Sequence, residues 1–423
     1  MVRLSSVLVL LALAVATASA SAAAPDWPNW HGPHHNAVCD EKGLMTEWPA
    51  DGPPLLWKHS GLGKGFSTLA IVGDRLYTMG DRNEKQYIIA LDLATRKELW
   101  AAQVGGPWGD GTRCTPTVDG GLVYGLGTHG DLVCVQAADG KEVWRKNFGK
   151  DFGGKMMSGW GYSESPQVDG DHLICTPGAK DAIVVALNKK TGETVWKSAM
   201  ADIGGKGQDG AGYASIRVVE AAGVRQYVTI TGRGAISVRA KDGKFLWGYN
   251  RVANGTADIP DVVPSGDYVF VSTGYGDGGA ALLKLSADGD GVKAEEVYWL
   301  EPKTFQNHHG GMILVGDYLY AGHGHNRGLP VCIEYKTGKI AWKADKQPGS
   351  GSACVLLADG NLYIRNESAD MVLVECTPDA YKLKGAFKIA VKNGQSWSHP
   401  VIHDGKLYLR DHNDLVCYDI TKK

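Results

Sequence analysis

Histidines crowd one stretch of this chain. Asn307-His308-His309 is followed, past a Gly316-Asp317 turn, by Gly322-His323-Gly324-His325-Asn326. Apolar and aromatic residues alternate on both sides of that turn, which is the pattern of a hairpin. Folding back there sets position 309 roughly opposite 323, so up to four imidazoles can share one corner. Imidazole pairs bind zinc, copper or iron well. The metal reading takes His308, His309, His323 and His325 as ligands. The alternative is a set of loop histidines bonded to backbone.

A second set of chemistry-bearing residues recurs at comparable places along the chain. Arg113 lies in "DGTRCTP", Glu164 in "GYSESP", Asp258 in "TADIPD" and His399 in "WSHP", and Trp108, Trp160 and Trp397 precede three such starts. A ring of mixed charge with aromatics suits a polar small molecule, a sugar or a peptide. The candidate ligand set is Arg113, Trp160, Glu164, Asp258, His308, His309, Trp397 and His399. The competing reading has these residues capping a channel, bonded to one another and to water. Other motifs carry less. The glycine runs at 61–68 and 204–212 do not join a strand to a helix, so they do not read as phosphate loops. "DGDG" at 288–291 has Val292 where a calcium loop needs a ligand, and reads as a turn.

The elements that position these residues follow from an internal repeat. "ALDLATRKELW", "CVQAADGKEVW", "ALNKKTGETVW" and "CIEYKTGKIAW" each place a small residue ten positions before a Trp. The shared form is a strand, a polar turn and a strand ending in Trp. Trp57, Trp100, Trp144, Trp196, Trp247, Trp299 and Trp342 mark seven units, and Phe387 stands in for Trp in an eighth. They are spaced by 43 to 52 residues, the length of a four-stranded propeller blade. An earlier hairpin in each unit, such as "VGDRLYTMG", supplies two more strands. The last unit holds three strands only, and 54–60 precedes any complete hairpin. The expectation is an all-β, eight-bladed β-propeller of four-stranded antiparallel blades, closed by the N-terminal strand 54–60 as the outer strand of the last blade. Closure removes open sheet edges, and each Trp fills space between neighbouring blades, burying about 150–250 Å². The connections from the outermost strand of one blade to the innermost strand of the next are the long ones, so the candidate ligand set gathers at one mouth of the central channel.

Gly reaches 57 of 423 residues, about twice the usual share of roughly 7%, as many tight turns require. The net charge of -2 offers no basic face to nucleic acid or to an anionic membrane surface. Arg3, an apolar run from Leu4 to Ala16 and the small residues Ala18-Ser19-Ala20 read as a cleaved signal peptide over 1–24, too short for a span. No Cys follows it, so a lipid anchor is not expected. The domain reading is then signal peptide 1–24, an extension packing on the propeller over 25–53, and the propeller over 54–423. The expected product is a periplasmic or secreted monomer with no membrane span. Of the eight Cys, Cys134, Cys332 and Cys417 share the repeat position held elsewhere by Ala90 and Ala186, so they read as small buried apolar residues.

The "AxDxxTGxxxW" repeat resembles the PQQ-like (pyrroloquinoline-quinone-like) propeller repeat over 25–423. "WPNWHGPHHN", "WGYSESPQVDGDHLICTPGAKDA", "NHHGGMILVGDYLYAGHGHN" and "LKGAFKI" are similar to an exported bacterial subgroup of that family. The resemblance implies the propeller fold, but the fold hosts many roles. It embraces a propeller subunit of the outer-membrane β-barrel assembly machinery and periplasmic quinoprotein alcohol dehydrogenases. The first implies a binding or scaffold protein for a small polar ligand or a cell-envelope partner. The second implies an alcohol or sugar dehydrogenase using PQQ with calcium, with Asp258 or Glu164 as base. Two family features are missing: no adjacent Cys pair exists to stack on a quinone, and no haem segment is present.

Overall fold

The computed structural model describes residues 25–423; the signal-peptide reading falls on 1–24, outside the described residues. Eight antiparallel blades follow one another around an axis. Their four strands are called A to D from the inside out. Blade 1 is Ala70–Val72, Arg75–Arg82, Lys85–Asp92 and Glu98–Gly105. The same order repeats six times, as far as blade 7 with Ala353–Ala358, Asn361–Asn366, Asp370–Glu375 and Leu383–Lys388. Blade 8 takes A, B and C from Val401–His403, Lys406–Asp411 and Asp414–Asp419, and its D strand is Leu55–Ser60. That strand pairs antiparallel with Asp414–Asp419, His59 opposite Leu415, so the ring closes as the sequence predicts. The buried Arg410 guanidinium locks this seam. It donates to the carbonyls of Gly63, Ser67 and Met79 and to Thr78 Oγ1. Among the described residues no helix is long and apolar enough to cross a membrane.

The ten-residue offset in the repeat has a simple cause. The small residue on C faces the Trp on D directly: Ala90 opposite Trp100, Cys134 opposite Trp144, Ala186 opposite Trp196, Cys332 opposite Trp342 and Cys417 opposite Trp57. All eight Cys are free thiols. A bulge just before the Trp turns its ring toward the next blade. There the indole N–H of Trp100, Trp144 and Trp342 donates to a carbonyl one or two residues past strand C, at Ala137, Lys189 and Thr377. The Gly of the next C–D turn lies flat against the ring. A Cβ on Gly140, whose φ is +74°, would stand 2.6 Å from Trp100. Gly140→Ala is therefore expected to cost about 2–4 kcal/mol, combining the left-handed backbone with overpacking. Gly120→Ala carries the backbone penalty alone, since no atom lies within 4 Å of its Cβ, and should cost about 1 kcal/mol. Equal urea midpoints for the two variants would refute the close-packing role of Gly140.

Two repeat markers are corrected by the structure. In blade 5, Leu282 on C faces Tyr298, and the bulge follows at Leu283–Glu296. Tyr298 therefore holds the aromatic place. Its hydroxyl donates to Tyr335 O, and Gly338 lies against its ring. Trp299 is one residue out of register and lies under Arg251 instead, 4.4 Å from its guanidinium carbon. In blade 7, the residue facing Leu373 ahead of the bulge is Gly385, while Phe387 keeps the contact with the next turn's glycine: a Cβ on Gly52 would stand 2.5 Å from its ring. The place over Gly385 is taken from outside the repeat by Trp48, whose backbone N–H donates to Lys384 O and whose Cβ lies 2.7 Å from where a Gly385 Cβ would be. Trp48 meets Tyr363 at 5.6 Å, as Trp100 meets Tyr77 and Trp342 meets Tyr320 at 5.9 and 6.1 Å.

Trp48 belongs to a segment that runs through the inside of the ring. Trp27 pairs with Ile71, Pro28 O accepts from Val118 N, Val38–Cys39 lies parallel to Leu357–Ala358, and Leu44 pairs with Thr421. The segment therefore bonds to the innermost strands of blades 1, 2 and 7.

Candidate functional site

The D-to-A connections converge at one end of the axis. Seven of the eight contribute side chains to a cavity of about 340 Å³: Phe66, Arg113, Trp160, Tyr213, Asp261, His308 with His309, and Trp397 with His399 each come from a different connection or share one. The B–C loops add Tyr275, His325, Asn326 and Glu367. Trp30 and His31, from the segment threaded through the ring, complete the wall.

Six of the eight candidate ligand residues line this cavity: Arg113, Trp160, His308, His309, Trp397 and His399. Glu164 and Asp258 do not. The chain entering strand A is extended, so alternate side chains face opposite ways. Ser163 and Ser165 face the cavity while Glu164 turns into blade 3, where its Oε1 accepts from Thr176 N at 2.7 Å. Burial pushes the Glu164 carboxyl up to about 7. Ala257, Ile259 and Asp261 face the cavity while Asp258 turns away to accept from Asn254 N, and burial raises its pKa well above the usual range. Asp261, which the sequence reading passed over, was legible from that alternation. Phe66, Tyr213 and Tyr275 carry no repeat signal. Trp30 and His31 sit in a conspicuous aromatic–histidine run, but nothing local says that it threads the ring.

Three of the four histidines of the proposed metal corner come together. The His308 and His309 rings stack at 3.8 Å, and His325 lies 4.2 Å from His308. His323 is not part of the corner. Strand A of this blade starts only at Met312, and before it Gln306 O accepts from Gly324 N, so His323 meets Gln306 N and stacks at 6.0 Å on Phe305 rather than facing His309. Stacked rings do not aim their nitrogens at one point. Among the described residues no group of three or more His, Cys, Asp or Glu is disposed to hold a metal ion.

The electrostatics of the cavity are those of a neutral site. Burial holds His308 down to about 3 and His399 down to about 4, and it holds His31 and His309 well below the usual histidine range. Burial likewise raises the Asp261 carboxyl, against the opposing charge of Arg217 and the bonds from Ser215 N and Trp30 Nε1. One guanidinium nitrogen of Arg113, Nη2, donates to both Asp110 carboxylate oxygens, at 2.7 and 2.9 Å. A chain of polar atoms crosses one wall. His399 Nε2 donates to His309 O at 3.4 Å, and its Nδ1 accepts from His31 Nε2 at 3.3 Å. His31 Nδ1 then lies 3.5 Å from Asp261 Oδ2. Four buried polar atoms of the lining remain without a partner: His308 Nε2, His309 Nδ1, His325 Nδ1 and Trp397 Nε1. A buried polar atom left unpaired costs about 1–3 kcal/mol, so these four atoms are a demand for a ligand.

The profile of the family described as outer membrane protein assembly factor BamB matches residues 84–344, more than half of the chain. No curated protein matches. Among solved structures, BamB from Moraxella catarrhalis superposes with a TM-score of 0.61 at 11% identity, covering 87% of this chain and 99% of its own. The quinohemoprotein alcohol dehydrogenase from Comamonas testosteroni gives 0.63 at 13%, covering 94% and 81%. A europium-containing methanol dehydrogenase gives 0.61 at 13%, covering 91% and 89%. Identities this low speak for the shared fold alone.

Proposed function

The chain belongs to the PQQ-like repeat family that includes outer membrane protein assembly factor BamB, and from that premise we propose that it is an exported binding propeller whose funnel takes a small polar ligand. The observation that carries this reading is the set of four unpartnered ring nitrogens, on His308, His309, His325 and Trp397, around one cavity of about 340 Å³. Pockets near this size hold small molecules, with aromatic walls and a few oriented polar groups. Export rests on the 1–24 segment and makes the periplasm or the exterior the place of action.

The quinone reading finds less support. Pyrroloquinoline quinone carries three carboxylates and needs cations, while Arg113 is engaged by Asp110 and the imidazoles are neutral. Calcium takes about six to eight oxygen ligands. Glu164 and Asp258 point out of the cavity, and both Asp261 oxygens already accept hydrogen bonds. The residues present do not fit that pair, and the same holds for a transition metal on the histidine corner.

The test is ligand capture. The mature chain is incubated with a small-molecule extract, desalted and analysed by mass spectrometry beside the His308→Leu and Trp397→Phe variants. A compound held at stoichiometric level by the parent, and at least about tenfold less by the variants, supports the funnel. Nothing retained, or equal retention by all three proteins, overturns it.

A further inference from the structure

Resting on that reading, we propose that the funnel takes an uncharged saccharide of one or two rings, stacked on Trp160 and Trp397 and bonded through its hydroxyls to His308, His309 and His325. Three independent features converge on this ligand class.

The first is the platforms. Trp160 stands at the rim with 47% of its surface exposed, although large aromatics are normally buried. Deeper in, Trp397 packs at 4.6 Å on Phe66 and at 4.4 Å on His309, so its ring is held rigidly. Rigid indoles offer flat apolar faces with a polar edge, and the C–H face of a sugar ring matches such a surface.

The second is the kind of polar atom left open. Trp397 Nε1 can only donate. A neutral imidazole nitrogen donates or accepts according to tautomer. His325 Nε2 accepts from Asn326 Nδ2 at 3.1 Å, which leaves Nδ1 as the donor. His308 Nδ1 meets Ser352 Oγ at 2.6 Å, and either tautomer leaves Nε2 free. Hydroxyl groups are the partner that satisfies such a set, because each donates one bond and accepts two.

The third is the absence of a free positive charge. Arg113 is ion-paired with Asp110, and the remaining charged side chains of the lining are carboxyls, Asp261 under Trp30 and Ser215 and Glu367 beside Ser352 N. The imidazoles are held neutral by burial. A carboxylate entering the cavity loses hydration without gaining a counter-charge. Discrimination is therefore against negative charge as much as for shape.

The experiment is calorimetric titration of the mature chain at pH 7 with glucose, galactose, xylose, N-acetylglucosamine, cellobiose and maltose, and with glucuronate as the charged counterpart. At least one neutral sugar is expected to bind with a Kd below about 1 mM, and its charged counterpart at least about tenfold more weakly. Trp160→Ala, at an exposed position that does not threaten folding, should weaken that sugar by about tenfold. No binding by any neutral sugar overturns the proposal, as does glucuronate binding as tightly as the parent sugar. If the extract experiment retains a compound of another class, the saccharide assignment falls and the funnel reading stands. If nothing is retained and no sugar binds, both fall.

Discussion

Trp48→Ala is expected to destabilise the propeller by about 3–5 kcal/mol, the range for truncating a buried Trp, although residue 48 lies outside every repeat. Its indole fills the place that Trp100, Trp144 and Trp342 fill in their own blades, over Gly385 and against Tyr363. It also meets Phe387 edge-on at 5.1 Å. Removing it opens a void in the core between blades 7 and 8, and Gly385 has no side chain to collapse into it. Trp299→Ala makes the contrast. Trp299 occupies the repeat-marked position in sequence, but it is only half-buried and interacts chiefly with exposed Arg251. Its loss should cost no more than about 1–2 kcal/mol. Urea unfolding of both variants decides between the two accounts. A larger midpoint shift for Trp299→Ala would show that the aromatic place in blade 5 had been assigned to the wrong residue.

Acid should unfold this protein early. His308 is held to about 3, His35, His323 and His399 to about 4, and His31 and His309 well below the ordinary value, all chiefly by burial. Above pH 6.5 these rings are neutral in both states. Below it the unfolded chain binds protons that the folded chain refuses, so stability is lost as pH falls toward 4. Four carboxyls act in the opposite sense. Glu164 is raised to about 7, and Asp81, Asp258 and Asp261 are also raised. Their contribution is complete below the unfolded carboxyl range and is lost as pH rises through the folded value. His59, His325 and His412 are lowered by burial as well, so the histidines outnumber the carboxyls and dominate the acid limb. The net loss between pH 7 and 5 is on the order of several kcal/mol. The expected profile of urea midpoint against pH has a maximum near neutrality and a steep acid side. A flat profile between pH 7 and 5, or a rise toward acid, would mean that these imidazoles are solvated in the native state.

The ring closure and the face that carries the cavity were legible in the chain, and so were six of the lining residues. The small residue on strand C must face the Trp on strand D, and that pairing imposes a ten-residue offset visible in text. The errors have equally local causes. In blade 5 the strands are ten residues long, and one extra residue between bulge and Trp moves Trp299 past the place that Tyr298 takes. The strand pairing stops at Met312, and Gln306 rather than His309 bonds across to Gly324, so His309 is not set against His323. Glu164 and Asp258 lie one residue off the cavity-facing phase of an extended chain.

By itself the sequence determined the repeating unit, the number of blades and which strand closes the ring, because those depend on periodicity and on pairings between neighbours. Only the tertiary structure decided that Trp48 completes blade 7 and that Trp30 and His31 wall the cavity. It also decided that Asp261 and His399, partners of Trp30 and His31 across 231 and 368 residues, join them in one network. Such contacts arise when a threaded segment meets a closed ring, and no local pattern of residue types encodes where it will touch.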